Sequence, residues 1–258
     1  MQNDIGPTTQ TLLERGMPRF RGGQGYAIRA KKSVELGFKP PMQLIIDRAE
    51  GDFVYDLEGR EIIDFQNGWA TNPLGNCHPE ILEVVQAAQR RYGFHWEHPL
   101  RVPVAEALAE TMPGRALPRF SFEVSGTEAV ESAVHAALCH TGRRTIIAFA
   151  SSFHGEGLGT KLISAYNSDN YVGLEAWSGG VIRAPFPHST RLPPGLSHAQ
   201  YQAYCLWYLE HYIPQQVMAS DNIAAVLIEP ALAEGGNWIP APAFLQGIRA
   251  ICDRQDWL

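Results

Sequence analysis

The amino-acid sequence predicts an α/β protein: a large domain on a mostly parallel sheet, preceded by a small α+β subdomain. Three observations carry that expectation. Strand-like and helical segments alternate from Arg119 onward. Ile223–Glu229 is a nearly continuous apolar run, the signature of a strand covered on both faces. Upstream, three short alternating runs are separated by turn signals, as antiparallel strands are.

Residues 1–40 are rich in glycine and charge, with weak periodicity, and read as an arm that crosses a surface. Gln43–Asp47, Asp52–Asp56 and Glu61–Phe65 follow as an antiparallel meander, divided by Glu50-Gly51 and by Asp56-Leu57-Glu58-Gly59. After Pro79 the rhythm becomes helical: Ile81, Val84, Val85 and Ala88 share one face of Glu80–Tyr92, and Val102–Met112 repeats the pattern. Arg119–Val124 reads as a strand and Thr127–His140 as a helix whose Ala129, Ala133, Ala136 and Ala137 allow close packing. Then come a strand over Thr145–Ala150, a short helix from Gly157 and a strand over Gly180–Ala184. A long helix over His198–Met218, broken or bent at Pro214, leads to the buried strand Ile223–Glu229. Ala243–Arg254 is a final helix, and Trp257-Leu258 open another strand. The loop Pro185–Ser197, with four prolines and a glycine, belongs on the surface or over a site.

Composition narrows the function. With 258 residues, 45% hydrophobic and 19% charged, the chain has apolar mass for a real core, which excludes a disordered tail or a disulfide-stapled miniprotein. The net charge of −6 has the wrong sign for a general nucleic-acid binder. Cys77, Cys139, Cys205 and Cys252 form no C-x-x-C pair; they suggest neither a zinc site nor a disulfide framework and fit a reducing, cytoplasmic setting. The longest clean apolar run, Ile223 to Ile228, is far short of the ~20 residues of a membrane span.

In a parallel α/β sheet, ligands bind outside the carboxyl ends of the strands, and three strand exits carry unusual residues. At Ser125-Gly126-Thr127 a strand breaks straight into a helix; its first-turn amides and two hydroxyls suit a phosphate, though the same residues also make an ordinary N-cap. At Phe153-His154-Gly155-Glu156 an aromatic could stack on a planar ring, or Phe153 could be core and His154 a satisfied polar residue. Gly155, Gly157 and Gly159 run G-x-G-x-G, not the dinucleotide spacing G-x-G-x-x-G. At the third exit Glu229 follows the apolar run and needs a partner if buried, with Glu234-Gly235-Gly236 just beyond. His95 and His98 flank Trp96-Glu97, and no metal site is expected of them.

Together these exits resemble the class III pyridoxal-phosphate aminotransferases of fold type I, the family of 4-aminobutyrate, ornithine and related ω-aminotransferases. The resemblance also runs through Tyr55–Arg60, Ile63-Asp64-Phe65, Gly75-Asn76-Cys77-His78-Pro79, Ser125–Glu131, Thr141-Gly142-Arg143, Glu229-Pro230, Glu234-Gly235-Gly236 and Pro242–Leu245. It implies pyridoxal 5'-phosphate as cofactor, with Gly126 and Thr127 amides on its phosphate, Ser125 adjacent, Phe153 stacked on its ring, His154 supporting that loop and Glu229 beneath it. It implies Glu234 near the substrate entrance and Trp69 on the wall of the substrate pocket. Glu156 stands where 4-aminobutyrate-type members have an arginine for a substrate carboxylate, and Ala231-Leu232-Ala233 replaces a common Val-Gln-Gly. The substrates implied are an amine or amino acid and a 2-oxo acid, and the parent enzyme is implied to be a homodimer, with no nucleic-acid or membrane partner.

On this resemblance, residues 1–79 are an arm and a small antiparallel subdomain, and 80–258 an incomplete cofactor-binding domain whose C-terminal part is missing. The Schiff-base lysine and the aspartate that holds the ring nitrogen fall beyond Leu258. The four lysines present are Lys31, Lys32, Lys39 and Lys161; the first three lie in the arm, and Lys161 is in a helix where the family does not place the nucleophile. The chain alone is therefore expected to be catalytically incompetent. Alternatives are an aminomutase or amino-acid racemase on the same scaffold, a non-catalytic truncated product, or a Rossmann-type nucleotide binder.

Overall fold

The computed structural model describes residues 7–16, 31–38, 44–93, 97–167, 173–174 and 179–258. They fall into two compact units, Met1–Ala107 and Leu108–Leu258.

In the first unit, strands β1 (Ile46–Glu50), β2 (Phe53–Asp56) and β3 (Glu61–Ile63) form the expected antiparallel meander, with Glu50 opposite Phe53 and Tyr55 opposite Glu61. β1 lies three residues later than the hydrophobic pattern suggested, because pairing with β2 runs to the edge of the tight turn at Gly51; Gln43 lies outside the described residues. Helices α2 (Pro79–Tyr92) and α3 (Arg101–Thr111) match the two helical patterns.

The reading of residues 1–40 as an irregular arm needs correction: Pro7–Gly16 is a helix, α1. Its apolar pattern is weak, and its anchor is polar. Thr9 is buried, and its amide and hydroxyl donate to Glu58 in the β2–β3 turn at 2.9 and 2.7 Å. A carboxylate at the first turn of a helix meets unpaired amides and the positive end of the dipole. These donors hold the Glu58 carboxyl below its ordinary range.

The second unit is built on a parallel sheet in the order β5-β4-β6, with β4 Thr145–Phe149, β5 Val181–Ala184 and β6 Ile223–Val226. All five residues of central β4 are buried, as a doubly covered strand requires. On one side the core gathers Phe149, Phe186 and Phe244, edge to face with centroids 5.6 to 6.0 Å apart, together with Leu209, Ile213, Ile248 and Ile251. Helix α4 (Gly126–Thr141) follows the first strand exit, and α5 (Leu158–Ile163) the second. The alanine face of α4 does not close on the sheet. An apolar cavity of about 430 Å³ lies there, lined by Ala133, Ala137, Ile146, Val226 and Leu258 among others.

Three expectations change here. Arg119–Val124 joins neither sheet among the described residues; an extended segment becomes a strand only where a neighbour offers a ladder, and Val124 stays 86% exposed. The buried strand ends at Val226, with Leu227 still donating to Ile147 O at 2.8 Å, so Glu229 lies on a loop beyond it. The long helix is α-helical only over α6 (His198–Trp207); Tyr208–Val217 continues as a wide π-helical segment containing Pro214. Proline has no N–H and its ring would strike the carbonyl four residues back, and a wider turn moves that carbonyl away. Helix α7 (Pro242–Gln255) leads to Leu258, whose N–H and C=O bond Ala224 O and Val226 N at 3.0 Å each, one step of a parallel ladder. Of the strand expected at Trp257-Leu258, only this pair of bonds is formed.

Candidate functional site

The three turns converge in the second unit, the first of them following the extended but unpaired segment Arg119–Val124. Ser125 caps α4, its Oγ accepting from Glu128 N at 3.2 Å, while among the described residues the amides of Gly126 and Thr127 have no acceptor. A Cβ placed on Gly126 would meet nothing within 4 Å, so the space before these amides is open.

Thr127 ties this turn to the second exit. Its Oγ1 accepts from Glu156 N at 3.3 Å, and the loop passes so close that a Cβ on Gly155 would lie 2.6 Å from that oxygen. Gly155 also sits at φ +127°, a conformation side chains avoid. A Cβ on Gly157 would come 2.7 Å from Thr127 Cγ2. The G-x-G spacing therefore records close packing of a loop on a helix start.

Phe153 is half-buried, its ring edge-on to Tyr166 at 5.5 Å. The third exit holds it: Glu229 Oε2 accepts from Phe153 N at 2.7 Å, and Oε1 accepts from Ala233 N at 3.2 Å. The partners that Glu229 was expected to need are thus backbone amides, that of Phe153 at the second exit and that of Ala233 in its own loop. Glu229 is half-buried, and Glu234 is exposed on the loop beyond it. Gly235 is packed so tightly that a Cβ would stand 2.4 Å from the Ser151 carbonyl.

His154 is 7% exposed, with its amide donating to Ser164 Oγ at 2.9 Å and its Nε2 buried without a hydrogen-bond partner among the described residues. Burial disfavours the imidazolium and lowers its pKa to about 4. Glu156 is exposed and engaged by two groups that no sequence spacing announced: Tyr166 Oη donates at 2.8 Å and Lys161 Nζ lies at 3.1 Å. The tyrosine hydroxyl first, then Lys161, holds the Glu156 carboxyl below its usual range against the opposing effect of burial.

In the first unit Trp69 stands 74% exposed on a left-handed turn, Asn67, Gly68, Trp69 and Ala70 having φ of 51°, 59°, 60° and 60°. Non-glycine residues there cost roughly 1–2 kcal/mol each. Asp64 offsets part of that cost: Oδ1 accepts from the Gln66 and Asn67 amides at 3.0 and 2.8 Å, and Oδ2 from Asn76 Nδ2 at 2.9 Å. His95 lies outside the described residues, and among those described no group of three or more His, Cys, Asp and Glu is placed to hold a metal. No helix among the described residues is long and apolar enough to cross a membrane.

Among solved structures, a thermostable (S)-enantioselective ω-transaminase from Thermomicrobium roseum aligns with TM-score 0.76 and 25% identity, covering 90% of this chain and 55% of that one. With its parallel sheet, the second unit shares the fold of the pyridoxal-phosphate-dependent transferases of fold type I. The class-III aminotransferase family model matches residues 38–258, and the chain belongs to that family, whose cofactor is pyridoxal phosphate. It is 31% identical over 230 residues to 5-aminovalerate aminotransferase of Pseudomonas aeruginosa, covering 88% of this chain and 52% of that protein. It is 33% identical over 247 residues to glutamate-1-semialdehyde 2,1-aminomutase of an Anaeromyxobacter species, covering 95% of this chain and 52% of that protein. The chain spans about half the length of the curated relatives it matches.

Proposed function

We propose that this chain carries the phosphate- and ring-binding half of an aminotransferase site, the whole protein moving an amino group from an amine or amino acid to a 2-oxo acid. The observation that carries the reading is the first turn of α4: two amides without an acceptor, open space in front of Gly126, and a helix dipole aimed at that space. These features fit the cofactor phosphate. Gly126 and Thr127 would hold it, with Ser125 fixing the turn. Phe153 would lie on the ring face, its loop pinned by Glu229, and the Nε2–H of neutral His154 would be one donor still to be satisfied. The cofactor, when bound, supplies the electron sink, and the protein supplies position, shape and charge.

In this reading Glu156 and Glu234 border the substrate. A carboxylate at Glu156 disfavours a donor with an acidic far end and favours an amino or neutral one. Residues 1–79 are the arm and small subdomain, 80–258 the cofactor-binding domain, and the whole protein is a cytoplasmic homodimer. The similarity to an aminomutase over 95% of the chain favours a second reading, in which the same site relocates an amino group within one molecule.

The test is the product of the whole protein. Incubation with amino donors and 2-oxo acids is expected to give amino transfer between two molecules. Isomerisation of one substrate with no transfer to added 2-oxo acid would replace the first reading by the second. For the chain alone, borohydride reduction with pyridoxal phosphate followed by peptide mapping is expected to leave Lys161 without a stoichiometric label. Such a label, with measurable amino transfer, would instead make Lys161 the lysine that holds the cofactor aldehyde.

A further inference from the structure

The loop Pro185–Ser197 grips the third turn through one buried histidine. Thr190 N donates to His188 Nδ1 at 3.2 Å, and Thr190 Oγ1 lies 3.0 Å from the same nitrogen. A neutral imidazole that accepts at Nδ1 carries its proton on Nε2. His188 is 6% exposed, and its Nε2 has no hydrogen-bond partner among the described residues. The third turn crowds that nitrogen: a Cβ on Gly236 would lie 3.4 Å from it, at a φ of +117° that side chains avoid. The ring itself lies over Trp238, with centroids 5.3 Å apart and planes 33° from parallel. Trp238 Nε1 donates to Pro187 O at 3.2 Å, a second tie between indole and loop.

From Trp238 the connection runs to the second turn. Trp238 N and O pair with Leu232 O and N at 3.0 and 2.9 Å, which closes the segment between them. Ala233, next to Leu232, donates its amide to Glu229 Oε1 at 3.2 Å, and Oε2 of that carboxylate accepts from Phe153 N at 2.7 Å. We propose that His188 is a positioning residue for the cofactor ring: by holding Trp238 it keeps Leu232 and Ala233 in place, and with them the carboxylate that fixes Phe153. The role toward the ring rests on the proposed function above, whereas the link from His188 to Phe153 does not. A flat ring is needed to cover the indole, and an acceptor at the δ position to meet the Thr190 amide; neutral histidine supplies both. Burial, then the charge of Arg191, lowers the His188 pKa and so keeps Nδ1 free to accept at neutral pH.

Hydrogen exchange in the chain without cofactor reads the link, and titration with pyridoxal phosphate reads its consequence. His188→Ala is expected to speed exchange of the Phe153 amide about tenfold while Ile146 and Ile147 in β4 stay protected, and to weaken pyridoxal phosphate binding about tenfold. His188→Phe keeps a ring over Trp238 and should recover most of both losses. In a Glu229→Ala background, His188→Ala should change neither quantity further, because the carboxylate through which it acts is gone. Phe153 exchange unchanged in His188→Ala, a His188→Phe variant as loose as His188→Ala, or an undiminished effect in the Glu229→Ala background would each overturn the link. Exchange that responds while affinity for pyridoxal phosphate does not would overturn the role toward the ring, and with it the place given to Phe153.

Discussion

His154 makes the stability of the second unit depend on pH in a calculable way. Its imidazole is 7% exposed and its Nε2 has no partner among the described residues, so the folded state holds it neutral, with a pKa of about 4 against an ordinary 6.5. Above pH 6.5 both states are neutral there and nothing is lost. As pH falls below 6.5 the unfolded chain takes up a proton that the folded one refuses, so stability drops until the folded pKa is passed. Between pH 7.5 and pH 5 this one group costs about 2 kcal/mol, from ~1.4 kcal/mol per pKa unit over the part of the shift traversed. With a urea slope of ~2 kcal/mol per molar, that is roughly a 1 M fall in the midpoint. Urea unfolding is followed by far-ultraviolet circular dichroism at both pH values for the wild type and for His154→Gln. The difference between the two proteins isolates this histidine from carboxylates and from His188, whose pKa burial also lowers. The wild type should lose about 1 M more than the variant. Equal losses would refute the reasoning.

Contacts elsewhere in the molecule set further expectations. Gly235→Ala places a methyl 2.4 Å from the Ser151 carbonyl, a backbone atom that cannot rotate away, and should cost about 1–3 kcal/mol in the same unfolding assay, whereas Gly59→Ala meets no atom and pays only for its left-handed φ. Glu58→Gln should loosen α1 and raise hydrogen exchange over Thr9 and its neighbours while leaving β4 amides protected, since Glu58 is the acceptor for both Thr9 donors. A donor screen of the whole protein should find 4-aminobutyrate poor relative to neutral amines; efficient turnover of it would contradict the role given to Glu156.

The helices Pro79–Tyr92, Gly126–Thr141 and Pro242–Gln255 were legible through apolar or small residues at helical spacing and through end signals, Pro79 with Gly93, Ser125 with Gly142, and Pro242. The meander was legible through its turns. Helix α1 was not, because its anchor is a hydrogen-bonded pair, Thr9 with Glu58, 49 residues apart. The π-helical segment was half legible: Pro214 announced trouble, but a break and a widened turn leave the same trace in sequence. Arg119–Val124 has the composition of a strand, and pairing depends on what lies beside it. At the site, the residues at the three strand exits could be singled out one by one. Their connections could not, since Glu229 reaching Phe153 N, Thr127 against Gly155, and Lys161 with Tyr166 on Glu156 are made through space. The left-handed turn under Trp69 left only half a trace, as Asn67 and Gly68 accept such a backbone readily and Trp69 and Ala70 do not.

If the first turn of α4 is the seat of the cofactor phosphate, removing the phosphate from the ligand must weaken binding there. Affinities for pyridoxal phosphate and for pyridoxal, which lacks the phosphate, are measured by fluorescence titration for the chain and for Gly126→Val. The chain should prefer pyridoxal phosphate by tenfold or more, and the variant should lose that preference, each tenfold corresponding to ~1.4 kcal/mol. Equal affinities for the two compounds in the wild type, or a preference undiminished in Gly126→Val, would contradict it.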